Sequence, residues 1–124
     1  MVIIGNGEFG LTLHAPDIIR EHGIGHRVDV VAGPFSGTFF VDGYVNPYQR
    51  LAQGLEKLYE NLVGEVAPHE FENMMIKFIG DGRGHIKVSV RAMLHEKEVE
   101  LKFAIQLDQT ELPALIKSIK ETFI

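Results

Sequence analysis

Six residues near the start of the chain, GNGEFG from Gly5 to Gly10, have the G-x-G-x-x-G spacing of a dinucleotide-binding loop. In such a loop the glycines let the backbone approach a pyrophosphate at the N-terminus of the following helix. Asn6-Gly7 is also the dipeptide most typical of a two-residue β-hairpin turn. The same residues therefore predict either a cofactor site or a hairpin, and the residues after them decide which.

The residues after this stretch favour the hairpin. A cofactor loop needs a following helix of two or three turns, whereas Pro16 would end a helix before its second turn is complete. A two-residue turn instead joins two strands whose apolar side chains share one face, with these pairs: Ile4 with Phe9, and Val2 with Leu11. We therefore expect an N-terminal hairpin and no cofactor.

Histidine is the second residue type here that could do chemistry, because it ligates metals and transfers protons near neutral pH. The six histidines are His14, His22, His26, His69, His85 and His95. His22 and His26 are four residues apart, which on a helix would place two metal ligands on one face. Gly23 and Gly25 disfavour that helix, and no third ligand is marked, so we expect no metal. His85 starts a predicted strand beside two glycines, where we expect it to hold the turn by a hydrogen bond.

A catalytic nucleophile with its base and acid cannot be assembled from the sequence. Cysteine is absent, which excludes thiol catalysis and disulfides. The serines, Ser36, Ser89 and Ser118, all lie outside any G-x-S-x-G motif of the hydrolase type. We therefore expect a binding protein without enzymatic activity. The alternative is a small-ligand sensor or enzyme with a cleft near residues 14–26, where a pocket would hold a carboxylate and the two histidines spaced four apart.

The composition limits the class of partner. The chain has 124 residues, 45% hydrophobic and 23% charged, which suits one globular domain over residues 1–124. Its formal net charge of −5 argues against a nucleic-acid partner, which would require a basic surface. No apolar run approaches the roughly 18 residues of a membrane helix, and the start lacks the basic segment of a signal peptide. We therefore expect a cytoplasmic protein with no nucleic-acid or membrane partner.

Apolar periodicity predicts an α+β fold, a mostly antiparallel sheet of about five to six strands with two helices packed on one face. The first helix is expected from Asn46, as its cap, to Gly64, as its stop, with Gly54 allowing close approach to the sheet. Its buried stripe would comprise Tyr48, Leu51, Leu55, Leu58, Tyr59 and Leu62. The second helix is expected to be capped by Thr110 and to bury Leu112, Leu115, Ile116, Ile119 and Phe123.

Between the helices, three strands should form an antiparallel meander whose register follows from counting. A three-residue loop at residues 82–84 gives these pairs: Phe78 with Val88, Ile76 with Val90, and Met74 with Ala92. A turn at Glu96-Lys97 adds Leu94 with Val99, Ala92 with Leu101, Val90 with Phe103, Val88 with Ile105, and Ile86 with Leu107. Every pair is apolar, so this face should be buried. The opposite face should be exposed, since it carries Lys87, Arg91, Glu100 and Lys102.

The region between the N-terminal hairpin and the first helix has a weaker pattern. RVDVVAG and GTFFVDGYV predict two more strands joined by GPFSG. APDIIREHGIGH, which precedes them, predicts a loop with at most one helical turn.

The latter two-thirds of the chain resembles the WapI-like family of bacterial immunity proteins and its relatives. The resemblance lies in the helix LAQGLEKLYENLVGEV, the strand opening GRGHIKVSV and the ending LKFAIQLDQTELPALIKSI. In this family a strand of the form F-x-I-x-x-D-Q-T runs into L-P-x-L-I at the start of the last helix. The matching residues here are Phe103, Ile105, Asp108, Gln109 and Thr110, then Leu112, Pro113, Leu115 and Ile116.

The resemblance implies a protein that binds and blocks a toxin domain delivered between bacterial cells, and that does no chemistry itself. The acidic net charge agrees with this function, because a nuclease toxin is usually basic and opposite charges speed encounter. We therefore expect a protein partner, a basic toxin domain. As the contact we expect Glu96, Glu98 and Glu100, which lie on the exposed sheet face and the adjoining turn.

Overall fold

The computed structural model of the chain describes residues 1–68, 73–94 and 98–124. Within these ranges it contains nine strands and two α-helices. The strands are β1 (Val2–Gly5), β2 (Phe9–Leu13), β3 (Ile18–Ile19), β4 (Ile24–Ala32), β5 (Phe35–Gly43), β6 (Val63–Val66), β7 (Met74–Asp81), β8 (His85–Leu94) and β9 (Val99–Asp108). The helices are α1 (Tyr48–Asn61) and α2 (Leu112–Phe123), the latter preceded by a single 3₁₀ turn at Gln109–Glu111.

The strands form two sheets in which every neighbouring pair is antiparallel. The first sheet has the order β1-β2-β4-β5, with β3 beside β4 on the same side as β2. The second sheet has the order β6-β7-β8-β9. The α+β class with mostly antiparallel strands is confirmed. Nine strands are described where five or six were expected, and two of them, β3 and β6, are short and carry no alternating apolar pattern.

The meander β7-β8-β9 has the register that the sequence predicts. All eight expected pairs are present, from Met74 with Ala92 to Leu94 with Val99. Phe78 and Val88 are fully buried, and Val90 is nearly so. The expected burial is incomplete on β9, where Val99 is 49% exposed and Leu101 and Phe103 are only partly buried. The turn predicted at Glu96-Lys97 lies outside the described residues. The register was predictable because a shift by one residue would have moved every apolar side chain to the solvent.

β1 and β2 form the expected N-terminal hairpin, but the register differs by two residues. Gly5 pairs with Gly10, and Ile4 pairs with Leu11. The predicted pairing of Ile4 with Phe9 is therefore wrong, and so is that of Val2 with Leu11. A shift of two residues keeps each side chain on its original face. The buried face is accordingly the expected one, formed by Val2, Ile4, Leu11 and Leu13.

Residues 6–8 join these strands, and Asn6 organises this connection. Its side-chain Oδ1 accepts hydrogen bonds from the backbone N–H groups of Glu8 at 2.8 Å and Phe9 at 3.0 Å. Gly5 has a φ of +93°, a left-handed conformation that glycine adopts without strain. A strand follows where a cofactor loop would have a helix. The G-x-G-x-x-G spacing therefore belongs to a turn.

Residues 14–26 are not the loop that the sequence predicts. They contain β3 and the first residues of β4, with Ile18 paired to Gly25. The connection between β4 and β5 is also shorter than GPFSG, because Ala32 already pairs with Phe35. Gly33 allows this two-residue turn through its φ of +61°.

α1 begins one residue later than expected, with Pro47 instead of Asn46 at its N-cap position, and it also ends earlier. The Asn46 side-chain oxygen accepts a hydrogen bond from the Tyr48 N–H at 3.0 Å. The helix stops at Asn61, so the predicted stop at Gly64 is wrong. Leu62 ends the helix in a left-handed conformation with a φ of 64°, and its N–H donates to the Leu58 carbonyl at 2.7 Å.

Gly54 allows the close approach between α1 and the second sheet that its position suggested. A Cβ atom at Gly54 would lie 2.6 Å from Cγ1 of Val66 on β6. The expected apolar stripe of α1 is buried at Tyr48, Leu51 and Leu55. Two members of the expected stripe are not buried: Tyr59, with 44% of its surface exposed, and Leu62, which is only partly buried.

α2 buries the predicted face, but a different residue caps its start. Leu112, Leu115, Ile116, Ile119 and Phe123 are all buried. The cap belongs to the 3₁₀ turn, where the Asp108 side chain accepts from the Thr110 N–H and Glu111 reaches back to the Asp108 N–H. Thr110 is therefore inside the turn and not its cap. This reciprocal arrangement is a capping box, which satisfies two backbone donors at once.

One apolar core joins both sheets and both helices. It contains side chains of β1, β2, β4 and β5 as well as those of the meander. The two helices meet where the rings of Tyr48 and Phe123 stack at 3.8 Å between centroids. No helix in the described part of the chain is long and apolar enough to cross a membrane.

Candidate functional site

The exposed face of β7, β8 and β9 is where the sequence predicted a partner contact. The cross-strand registers place its central side chains in three rows. These rows are Met75–Arg91–Lys102, Lys77–Ser89–Ala104 and Ile79–Lys87–Gln106. Two of the three side chains in the middle row, Ser89 and Ala104, are short, so the surface is depressed there.

A hollow of about 450 Å³ occupies this depression. Ser89 and Ala104 form the centre of its lining, and Met75 adds an apolar side chain. Four cationic side chains also line it: Lys77, Lys87, Arg91 and Lys102. We term this site the cationic hollow, and we call Ser89 and Ala104 its floor. The predicted register already implied that Ser89 and Ala104 face each other between these cations. The net charge of −5 has the opposite sign to this local cluster.

Two acids neutralise part of the hollow's charge. Glu100 accepts a hydrogen bond from Arg91 Nε at 2.5 Å and lies 3.3 Å from Lys102 Nζ. Glu65, on the neighbouring strand, lies 3.2 Å from Lys77 Nζ. Lys87 has no acidic partner among the residues that the structure describes. Desolvation opposes ionisation of Glu100, but hydrogen bonds from Arg91 and Lys102 outweigh it and lower the pKa of the carboxyl group.

The three predicted contact residues have different positions relative to the hollow. Glu96 lies outside the described residues. Glu98 is exposed immediately before β9. Glu100 is on the sheet face at the edge of the hollow, where its charge is already paired. The exposed face thus alternates in sign, with cations at its centre and acids at the end near Glu98.

The other glycine-rich stretch, GDGRGH, is a turn held by Asp81. Its Oδ1 accepts from the N–H groups of Arg83 at 2.6 Å and His85 at 3.2 Å, while Oδ2 lies 3.0 Å from Nδ1 of His85. Hydrogen bonds from Arg83 and His85 hold the pKa of Asp81 below its usual value. The expected role of His85 in fixing the turn is confirmed.

His22 and His26 do not meet in a pocket. The His22 side chain is 77% exposed, whereas His26 is fully buried on β4. His26 Nε2 lies 2.6 Å from the Tyr48 hydroxyl oxygen, and its Nδ1 lies 3.1 Å from the Arg27 carbonyl oxygen. Within the described ranges, no three His, Asp or Glu side chains are grouped so that they could hold a metal ion.

The first sheet has an exposed polar row that sequence reasoning missed. Asp29 accepts from the Thr38 hydroxyl at 2.8 Å, and its other oxygen lies 2.6 Å from His14 Nε2. Hydrogen bonds from His14 and Thr38 lower the pKa of Asp29. In a catalytic triad the imidazole stands between the hydroxyl and the acid, whereas here the carboxylate stands between them. The row therefore cannot activate Thr38 as a nucleophile.

An exposed apolar patch lies near the junction of β3 and the end of β5. Ile19 and Tyr44 are each 79% exposed. The guanidinium carbon of Arg20 lies 5.8 Å from the centre of the Tyr44 ring, and Arg20 Nη2 is 3.0 Å from Asp42 Oδ2. Tyrosine and arginine are enriched at the centres of protein interfaces, and here they lie beside an exposed isoleucine. This patch is therefore a second candidate contact.

These features describe an α+β protein with a cationic hollow on one sheet and an exposed apolar patch on the other. A model of the WapI-like immunity protein family matches residues 8–123. Because the match spans nearly the whole chain, the protein belongs to this family of immunity proteins. The resemblance seen in the latter two-thirds of the sequence is thereby confirmed and extended to the N-terminal region.

No curated protein matches the chain in sequence. Two solved structures of plant proteins are similar at low sequence identity. One is described as the structure of the plant transcriptional regulator PBF-2, with a TM-score of 0.47 and 13% identity over 98% of this chain and 78% of that one. The other is the crystal structure of WHY3 from Arabidopsis thaliana, with a TM-score of 0.45 and 14% identity over 98% of this chain and 84% of that one.

Proposed function

We propose that this immunity protein neutralises a toxin domain by covering part of the toxin's surface, and that it catalyses no reaction of its own. The observation that carries the proposal is the family match over residues 8–123. The site geometry supports it. The polar groups of the chemistry-bearing motifs, at Asp81, His26 and Asp29, are engaged in holding turns, core and sheet.

The partner we propose is a basic toxin domain, and the contact is the acidic end of the meander. Glu98 and Glu100 lie at or beside β9, and Glu96 is in the connection that precedes it. A β-sheet is a rigid support, so Glu100 on β9 can be presented with little loss of conformational entropy on binding. The net charge of −5 would attract a basic partner and speed encounter.

Co-expression with a toxin domain tests this function, and the genes that neighbour this one are the place to find it. We expect the wild-type chain to restore growth and to co-purify with the toxin. The triple variant Glu96→Lys, Glu98→Lys and Glu100→Lys should lose both properties. A matched control reverses three acids elsewhere, at the exposed positions Glu8, Glu60 and Glu121, and should keep them.

Each outcome of this experiment has a distinct meaning. Failure of the wild-type chain to restore growth and to co-purify would contradict toxin neutralisation. Rescue by the triple variant would keep that function and exclude the acidic contact. If Tyr44→Ala abolishes rescue while the triple variant preserves it, the apolar patch is the contact instead.

A further inference from the structure

We propose that the cationic hollow binds a short run of carboxylate side chains on a protein partner. This proposal deepens the proposed function, because it assigns an acidic segment of the partner to the centre of the meander face. The supporting observation is that four cations converge on a hollow in a chain whose net charge is −5. A partner that is basic overall would meet the acids beside Glu98, and it would place its own acidic segment here.

The shape of the hollow follows from the side chains that pair across the strands. Ser89 and Ala104 face each other in the middle row, and both are short. The rows on either side carry Arg91 with Lys102, and Lys87. Short side chains between long ones create a depression whose rim is made of flexible cations. A group inserted there would contact several cations at once.

Enough charge and hydrogen-bonding capacity remains for a ligand. Four cations and the two paired acids, Glu65 and Glu100, leave two positive charges unneutralised. Lys87 has no acidic partner among the described residues. Glu100 accepts from Nε of Arg91. The guanidinium group has five donors, so further N–H groups of Arg91 can bind a second carboxylate.

The apolar part of the lining strengthens these interactions. Met75 and Ala104 belong to the wall and floor of the hollow. A carboxylate held against them would lose part of its surrounding water, and charge interactions strengthen as the local dielectric falls. Ser89 adds a hydroxyl donor at the floor.

The length of the cationic strip favours an acidic peptide over a nucleic acid. The first and third rows are four residues apart along a strand, which corresponds to roughly 13 Å. Acids lie beyond both ends, at Glu98 on one side and at Asp81 and Asp108 on the other. A longer phosphate backbone would therefore run into negative charge. Phe103 also lines the hollow, but its side chain packs against the core beside Val90, so it offers nucleic-acid bases no free ring to stack on.

A titration of the full-length chain with a blocked hexaglutamate peptide tests the proposal. The readout is the movement of backbone amide signals in NMR spectra of the labelled protein. We expect saturable shifts at Lys87, Ser89 and Ala104 that weaken as salt is raised, because exposed charges are screened. Hexaglutamine is the neutral control, and a 12-nucleotide oligo(dT) represents a nucleic acid.

Two variants separate charge from shape. Lys87→Gln removes the cation that has no described acidic partner, and we expect about five-fold weaker binding of hexaglutamate. Ala104→Leu fills the exposed floor without changing the charge and should weaken binding at least as much. Lys117→Gln removes an exposed cation from α2 and should leave the affinity unchanged.

The outcomes distinguish this proposal from the proposed function. Hexaglutamate shifts that avoid the hollow, or an affinity that neither variant changes, would overturn the proposal. Binding of oligo(dT) at the hollow without binding of hexaglutamate would replace it with a nucleic-acid site. If the double variant Lys87→Gln and Ala104→Leu neutralises the toxin as well as the wild type, the hollow is not a toxin contact, although neutralisation stands. If hexaglutamate occupies the hollow but the wild-type chain neutralises no toxin, the acidic-segment site stands and the proposed function fails.

Discussion

The Tyr48 hydroxyl oxygen lies 2.6 Å from Nε2 of His26 in the fully buried centre of the protein. His26 Nδ1 faces the Arg27 carbonyl oxygen, which can only accept, so Nδ1 carries the ring proton. In the neutral imidazole Nε2 is then an acceptor, and the Tyr48 hydroxyl donates to it. Burial lowers the pKa of His26 and raises the pKa of Tyr48 well above its usual range. Both the imidazole of His26 and the hydroxyl of Tyr48 are therefore uncharged at physiological pH.

We expect this burial to make the protein less stable in mild acid. The folded state keeps His26 neutral, while the unfolded chain binds a proton at this residue below pH of about 6.5. Protons therefore favour unfolding, and the free energy of unfolding should decrease as pH falls from about 7 towards 5. Urea unfolding midpoints measured across this range give the slope. His26→Phe should flatten it, whereas His22→Gln, at an exposed position, should not.

Removing the Tyr48 hydroxyl should destabilise the protein although the ring remains. Tyr48→Phe leaves the buried Nε2 of His26 without this donor, and we expect a loss of about 1–3 kcal/mol. Tyr59→Phe is the matched control, because Tyr59 is partly exposed on the same helix and the change should cost less than about 0.5 kcal/mol. Equal unfolding midpoints for the two variants would contradict the importance of the His26–Tyr48 hydrogen bond.

Substitutions on the two faces of the meander should differ in how strongly they destabilise the protein. Val90 is buried at 2% exposure, so Val90→Asp places an unpaired charge in the core and should cost more than about 3 kcal/mol. Lys102 is on the exposed face, and Lys102→Ala should cost less than about 1 kcal/mol. Chemical denaturation measures both. Similar midpoints for the two variants would show that the faces are wrongly assigned.

Gly54→Ala should be destabilising, although alanine is normally the better helix former by about 1 kcal/mol. The added methyl would lie 2.6 Å from Cγ1 of Val66, and relieving that overlap should cost about 1–3 kcal/mol. Val66→Ala in the same chain should recover part of the loss, since it removes the opposing atom. A double-mutant cycle measures this coupling, and additive effects of the two changes would exclude the steric explanation.

Association with a basic toxin domain should slow as salt is added. Exposed charges are screened beyond roughly 8–10 Å near physiological ionic strength, so the attraction that steers encounter weakens. Stopped-flow measurement of the association rate at increasing salt concentration tests this expectation. The dissociation rate should change less, because contacts at close range are screened less. An association rate that is independent of salt would remove the electrostatic argument for a basic partner.

Local sequence patterns were sufficient to predict those parts of the fold where a single register or helix face buries the apolar side chains. The meander could be aligned by counting, because a shift by one residue would expose residues such as Phe78 and Val88. The buried face of α2 followed from the spacing of its apolar residues. The hairpin of β1 and β2 was found, but its register was missed by two residues. Both registers bury the same side chains, so the apolar pattern could not separate them.

The candidate site was less predictable, because whether a charged side chain is free or paired depends on which residues the fold places beside it. The sequence placed Glu100 on an exposed face, yet only the structure pairs it with Arg91 and Lys102. His26 is four residues from His22, a spacing that suits two metal ligands on one helix face. Its burial depends on Tyr48 and Phe123, which are far away along the chain.

By itself the sequence determined the α+β class, the two helices, the meander register and the resemblance to the immunity protein family. Each of these rests on short-range periodicity or on a contiguous motif. Tertiary structure alone decided that the strands divide into two sheets, that Leu62 rather than Gly64 ends α1, and that His26 is a core residue. It also decided that the exposed meander face has a cationic centre within an acidic protein. These properties depend on which distant segments of the chain come into contact. Burial and charge pairing arise only after those contacts have formed.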